Sequence, residues 1–162
     1  LRLSALGAAL VLATGVAAAW AAFQPLRSAK ATDVAYERLE RGQARPAVDI
    51  ARIAVERNRL SVDPLFELSA ILTQTGRARD AERELERAVE LQPANSETWR
   101  RLGEHRVLAL NQPKRGLAPL RAAYYLDPES REIETAFVLL NRQLNPPPPP
   151  PPPPPSPPPP PG

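Results

Sequence analysis

Catalysis needs a nucleophile, a proton donor–acceptor pair or a metal within hydrogen-bond reach, and this chain holds few residues that supply them. It has no cysteine and a single histidine, His105, so there is no thiolate, no disulfide and no second imidazole to share a metal. Flanked by Glu104 and Arg106, His105 reads as a surface histidine. The nearest thing to an acid–base pair is Glu82 with Glu86. Their i,i+4 spacing makes them neighbours on an exposed helix face rather than a buried dyad. No glycine-rich phosphate loop and no Gly-x-Ser-x-Gly elbow occurs. The stretch is therefore expected to be non-catalytic, with no metal and no cofactor. The remaining question is what it binds.

Charge narrows the answer. The net charge is +3, but the signs alternate along the chain, as in Glu82-Arg83-Glu84 and Glu86-Arg87. Alternation of this kind marks a solvated helix face laced with i,i+4 pairs. Nineteen of the 21 basic residues are arginine, yet they form no clustered stripe, so no nucleic-acid partner is expected.

The elements that must position any binding residue lie between two ends of different composition. Residues 3–23 carry no charge, and as a helix they would be about 31 Å long, enough to cross a membrane. Trp20 and Phe23 close the run, and Arg27 and Lys30 follow it. A membrane-spanning helix or signal anchor is expected; a cleaved signal peptide, with Arg2 at its start and Ala17-Ala18-Ala19 as its cleavage site, is the alternative. The balance of basic residues favours a cytoplasmic side after the span. At the other end, residues 146–162 hold fifteen of the 22 prolines. This tail can form only polyproline II, about 50 Å of it, as a docking ligand for an aromatic groove or a stiff spacer, the alternative being a low-complexity expansion with no specific partner.

Between the ends, landmarks recur at a spacing of 34 residues. Leu65 is answered by Trp99, Gly42 by Gly76, and Ala47, Ala51 and Ala54 by Ala81, Leu85 and Ala88. Within each period the apolar residues fall at helical spacing. Ala47, Ile50, Ala51, Ala54 and Val55 form one face, and Leu65, Leu68 and Leu72 another, with Ser69 small enough for close approach. Gly42 and Gly76 suit the left-handed end of a helix. Thr32-Asp33, Asp63-Pro64, Ser96 and Asp127-Pro128 read as helix starts, and Pro93 as a stop. Val34, Tyr36 and Leu39 supply apolar surface in the first period, and Pro46 fits the first turn of its second helix. In the third period Asn111-Gln112-Pro113 lengthens the turn, so Gly116, Leu120, Ala123 and Pro128 arrive one residue late. Pro119 is expected to kink or delay the helix it sits in. Ile133, Ala136, Phe137, Leu140 and Leu144 then form a single stripe on a closing helix.

These landmarks, with Trp99-x-x-Leu102-Gly103, resemble the tetratricopeptide repeat family, in which helix–turn–helix units stack because none can bury its apolar face alone. The resemblance covers residues 28–130 and departs from the family at Arg59, where a proline is expected. It implies an all-α solenoid: repeats at 28–61 (the least regular), 62–95 and 96–130, then a capping helix at 129–144. In that family the first helix of each repeat lines a concave groove. Carried across, this implies a protein-binding groove of Tyr36, Leu39, Asp63, Phe66, Ala70, Thr73, Glu97, Arg100, Glu104 and Val107, with a protein or peptide as partner. Some members clamp a partner's C-terminal carboxylate with lysine and asparagine. Thr32, Tyr36 and Glu67 stand at those places here, so the clamp is not expected. The whole arrangement, a span ending Trp20-Ala-Ala-Phe23-Gln24-Pro25-Leu26-Arg27-Ser28 and followed at once by repeats, also resembles the C-terminal end of bacterial O-antigen ligase-type membrane proteins. That resemblance implies an accessory segment of a membrane glycosyltransferase whose catalytic loops are not in this chain. The functional expectation is thus a membrane-tethered scaffold, or such an accessory segment.

Overall fold

Glycine at 42 and again at 76 adopts φ of +73° and +76°, and each time the chain reverses from one helix into the next. The computed structural model describes residues 27–146, and every regular element among them is a helix. The described part of α1 covers 27–40. It is followed by α2 (Ala44–Arg57), α3 (Asp63–Gln74), α4 (Ala78–Leu91), α5 (Ser96–Leu108), α6 (Pro113–Leu126) and α7 (Arg131–Leu144). From α2 onward each helix packs on its successor, and Ser28 ties α1 to α2 by a buried hydrogen bond, 2.9 Å, from its hydroxyl to the Ala54 carbonyl. The result is an all-α stack of helix pairs. The expectations for residues 3–23 and for the proline run beyond Pro146 lie outside the described residues. Among the described residues, no helix is long and apolar enough to cross a membrane.

The periodic residues form the core. Leu65, Leu68, Ile71 and Leu72 of α3 are completely buried, each contributing about 1.5–3 kcal/mol of transfer free energy. Ala47, Ala51, Ala54, Ala81, Ala88 and Ala123 are equally buried, and their small side chains let neighbouring helices approach. Gly103 and Gly116 do the same where α5 crosses α6. A Cβ on Gly103 would lie 2.6 Å from Leu120 Cγ, and one on Gly116 would lie 2.4 Å from Val107 Cγ2. Leu85 and Leu102 complete the core, and Trp99 is half-buried against it, its indole N–H donating to the Pro93 carbonyl at 2.8 Å.

Several local expectations need correction. Asp63 lies inside α3, and the N–H it leaves open is taken by Ser61 Oγ at 3.2 Å. The cap of α5 is Asn95, whose side chain accepts from the Glu97 N–H at 3.0 Å, rather than Ser96. Ser130 caps α7, two residues beyond Pro128, so the closing helix starts at Arg131. In all three places a side-chain oxygen one to three positions from the expected one reaches an N–H at the start of the helix. Thr32 is within α1, where its hydroxyl bonds back to the Ser28 carbonyl, and Val34 faces solvent while Ala31 and Ala35 are buried. Pro119 does not delay α6, which runs unbroken from Pro113 to Leu126. Asn111, at φ +53°, absorbs the extra residue of the α5–α6 turn.

Candidate functional site

The first helices of successive pairs, α1, α3, α5 and α7, are joined along one face by side chains. Tyr36 Oη donates to Glu67 Oε2 at 2.6 Å, linking α1 to α3. The Arg101 guanidinium sits 4.4 Å from the centre of the Phe66 ring, a cation–π contact linking α3 to α5. Arg100 reaches Glu132 of α7 at 3.0 Å, and within α5 it also holds Glu97 and Glu104, both at 2.7 Å.

Two clefts open on this face. One, of about 350 Å³, lies between α3 and α5 and is lined by Phe66, Ala70 and Thr73 on one side and Arg101, Glu104 and His105 on the other, with Leu108 at its edge. The second, of about 290 Å³, lies between α1 and α3 and is lined by Thr32, Asp33, Asp63 and Glu67. The first pairs an aromatic floor with hydroxyl, carboxylate and imidazole groups. The second holds three carboxylates and no basic side chain among its lining residues.

The ten groove residues thus divide. Phe66, Ala70, Thr73 and Glu104 come together in the α3–α5 cleft, and Asp63 lines the α1–α3 cleft. Tyr36 is held against Glu67. Leu39 packs on the core instead of facing an open cleft. Glu97 and Arg100 are engaged in ion pairs, and the Arg100 side chain is only 13% exposed. Val107 presses on Gly116 of α6, turned away from the cleft, and the exposed Leu108 takes the place expected of it.

Electrostatics follow from these contacts. Burial pushes the Tyr36 phenol up, and the bond to Glu67 adds to it, to about 12. Glu97 feels burial that would raise its pKa, but hydrogen bonds from Arg100 and Arg101 outweigh it and hold the carboxyl below its ordinary range. The bond to Glu97, acting against burial, holds the Arg100 guanidinium charged even more firmly than usual.

Two acidic and imidazole expectations change. His105 is not a free surface histidine: its Nε2 lies 2.8 Å from the Ala78 carbonyl at the start of α4. Glu82 is not exposed: its side chain is 11% accessible and meets Arg106 at 2.7 Å and Arg115 at 2.9 Å, tying α4 to α5 and α6. Sequence reasoning also missed Arg101. The signal lay in the period itself, since Asp33, Glu67 and Arg101 are 34 residues apart and so occupy equivalent places on successive helices. Equivalent places stack side by side in a repeat, which sets Arg101 against Phe66, the chain neighbour of Glu67 on α3.

With helix pairs stacked in register and glycines at their turns, residues 62–105 match the family model of the tetratricopeptide repeat. That region carries the tetratricopeptide repeat pattern. Solved structures agree on the fold. The first tetratricopeptide repeat domain of Spaghetti (RPAP3), bound to an HSP90 peptide, is similar at TM-score 0.58 and 14% identity, over 74% of this chain and 94% of that one. The second domain of human RPAP3, in complex with an HSP70 peptide, gives 0.58 at 13% identity, over 75% and 98%. The Sgt2 domain from Aspergillus fumigatus gives 0.59 at 18%, over 72% and 78%. No curated protein matches the chain. The resemblance to O-antigen ligase-type proteins finds no support in these matches.

Proposed function

We propose that this tetratricopeptide repeat protein is an interaction scaffold that binds a protein or peptide across the face of α1, α3 and α5. The observation that carries the reading is the α3–α5 cleft, in which Phe66, Ala70, Thr73 and Glu104 surround open space between two first helices. A mixed apolar and polar lining of this kind suits a peptide side chain and its backbone together. The similar RPAP3 domains are seen with HSP90 and HSP70 peptides, which supports a peptide as the occupant. The ligand differs from a C-terminal carboxylate, because Glu67 places negative charge beside Tyr36 where a clamp would need positive charge. The uncharged run 3–23 supports tethering of the scaffold at a membrane.

The test is selection of peptides from a displayed library by the full chain, followed by titration against two variants. Ala70→Trp fills the cleft from a half-buried position and should weaken selected peptides at least about tenfold, or 1.4 kcal/mol. Leu139→Ser, on the outer surface of α7, should leave them unchanged. Amidating the peptides' C-termini should also change nothing. Equal binding by the parent and Ala70→Trp would overturn the reading.

A further inference from the structure

A helix N-terminus carries the positive end of the helix dipole and favours an acidic residue or a side-chain cap. The starts of α5 and α7 follow this rule: Asn95 and Ser130 cap them, and Glu97, Glu132 and Glu134 stand in their first turns. The second helices of the pairs break it. At α2, α4 and α6 the cap positions are Gln43, Arg77 and Gln112, and none of these side chains caps its helix. The first turns of α2 and α6 hold no acid, and Asp80 of α4 is taken by Arg77 at 2.7 Å and by Arg83. Each helix instead carries a cation as its second residue: Arg45, Arg79 and Lys114. All three are exposed, and none makes a hydrogen bond or ion pair among the described residues.

These cations look scattered in the sequence. Arg45 and Arg79 are 34 residues apart, however, and Arg79 and Lys114 are 35 apart, the extra residue matching the longer α5–α6 turn. Equivalent places stack side by side in a repeat. α2 and α4 share a cleft lined by Arg52 and Val55 of one and by Glu84 and Arg87 of the other. The α3–α4 turn meets Leu110 of the α5–α6 turn in another, of about 380 Å³, lined also by Arg77, Ala78, Arg79 and Asp80. Stacking therefore sets the three cations in one row along the turn edge, over about 20 Å at about 10 Å per step. A cation at a helix start works against its own helix, and a rule broken at the same place in three helices points to a function. We propose that this edge binds a glutamate-rich segment of a partner protein, lying extended across the three turns.

The form of the row selects this partner among anions. Its charge is a line, flanked by the exposed Glu40 and by Asp80. A bilayer offers a sheet of negative charge that would meet those carboxylates too, whereas a single chain can follow the line. Single-stranded nucleic acid binds where aromatic side chains receive its bases, and residues 37–45, 75–83 and 109–116 contain none. In an extended peptide of polyproline II form, side chains three residues apart share a face and lie about 9 Å apart, close to one step of the row. The uncapped N–H groups at the helix starts add donors for carboxylate oxygens. Ala78 and Leu110 line the cleft beside Arg77 and Arg79, which suits the apolar stem of a glutamate beneath its charge.

The probe is a fluorescent polyglutamate peptide of about twelve residues, long enough to span the row at about 3.1 Å per residue. Its anisotropy is followed as the full chain is added at about 0.1 M salt, where charges more than about 10 Å away are screened. The parent should bind, and the triple variant Arg45→Gln, Arg79→Gln, Lys114→Gln should bind at least about tenfold more weakly. A second triple variant, Arg59→Gln, Arg121→Gln, Arg131→Gln, removes the same charge from exposed residues away from the row and should lose less than about twofold. Ala70→Trp, in the α3–α5 cleft, should change nothing. The edge variant relieves three helix starts of unfavourable charge, so its melting temperature should not fall. A fall would show that the cations serve the fold instead. Equal losses in the two triple variants, or no binding by the parent, would overturn the proposal. So would tighter binding of phosphatidylserine vesicles or single-stranded DNA than of the peptide, since the edge would then serve a bilayer or a nucleic acid.

Discussion

Tyr36 and Glu67, 31 residues apart, share one hydrogen across the α1–α3 step at 2.6 Å. Burial, then the bond to Glu67 and its charge, raise the phenol to about 12, against a smaller opposite pull from Arg101. The folded state thus favours the neutral phenol. Its contribution to stability is complete below the ordinary phenol pKa near 10 and is lost as pH rises through about 12. Ultraviolet titration should show a phenolate component near that upper value that disappears in Tyr36→Phe. The same variant should lose about 1 kcal/mol at neutral pH and decline less steeply in alkali.

The four glycines at structural positions should rank by mechanism. A Cβ on Gly116 would meet Val107 Cγ2 at 2.4 Å and the Gly103 carbonyl oxygen at 2.8 Å, and the second of these is backbone. Gly116→Ala should therefore cost about 2–3 kcal/mol in urea denaturation. Adding Val107→Ala should recover only part of it. A Cβ on Gly42 or Gly76 meets nothing within 4 Å, so only the left-handed φ opposes alanine there, at about 1 kcal/mol. Equal losses at Gly76 and Gly116 would show that the α5–α6 crossing is looser than described.

The contrast between these glycines also shows what was legible in the sequence. Gly42 and Gly76 stand at a fixed period between two apolar stripes, so helix, turn and partner face could all be read from spacing. The crossing at Gly103 and Gly116 could be seen as a motif, but its reason, the approach of Leu120 and Val107, is a tertiary fact. Caps were misplaced by one to three residues because Ser61, Asn95 and Ser130 compete with Asp63, Ser96 and Asp127 for the same few N–H groups, and reach alone decides. The site was less legible still. A family frame of positions put Val107 in the groove, whereas it packs on Gly116 of α6. Glu82 looked exposed because its partners Arg106 and Arg115 are 24 and 33 residues away.

That buried carboxylate gives a third prediction. Glu82 receives Arg106 and Arg115 at 2.7 and 2.9 Å in a place with little solvent to screen them. A double-mutant cycle of Glu82→Gln with Arg106→Gln should give a coupling of about 2 kcal/mol. The same cycle on Asp80 and Arg83, where the arginine is 69% exposed, should give a much smaller coupling, because water screens the pair. Similar couplings in the two cycles would mean that Glu82 is hydrated.

Acid should act in part through Glu97. Burial raises its pKa, but the hydrogen bonds and charges of Arg100 and Arg101 prevail and lower it. A carboxylate whose folded pKa lies below its unfolded one stabilises the fold above the unfolded value, near 4.5, and that stability is lost as pH falls through the folded value. Glu97→Gln should therefore be less stable than the parent at neutral pH and converge with it in acid, as followed by thermal unfolding across the pH range. Glu132 offers the control. It also touches Arg100, at 3.0 Å, but from an exposed position where water screens the pair. Glu132→Gln should shift neutral stability by less than about 0.5 kcal/mol and leave the acid limb unchanged. If Glu132→Gln flattened the acid limb as much as Glu97→Gln, the α5–α7 contact, rather than the pairing within α5, would set the acid response.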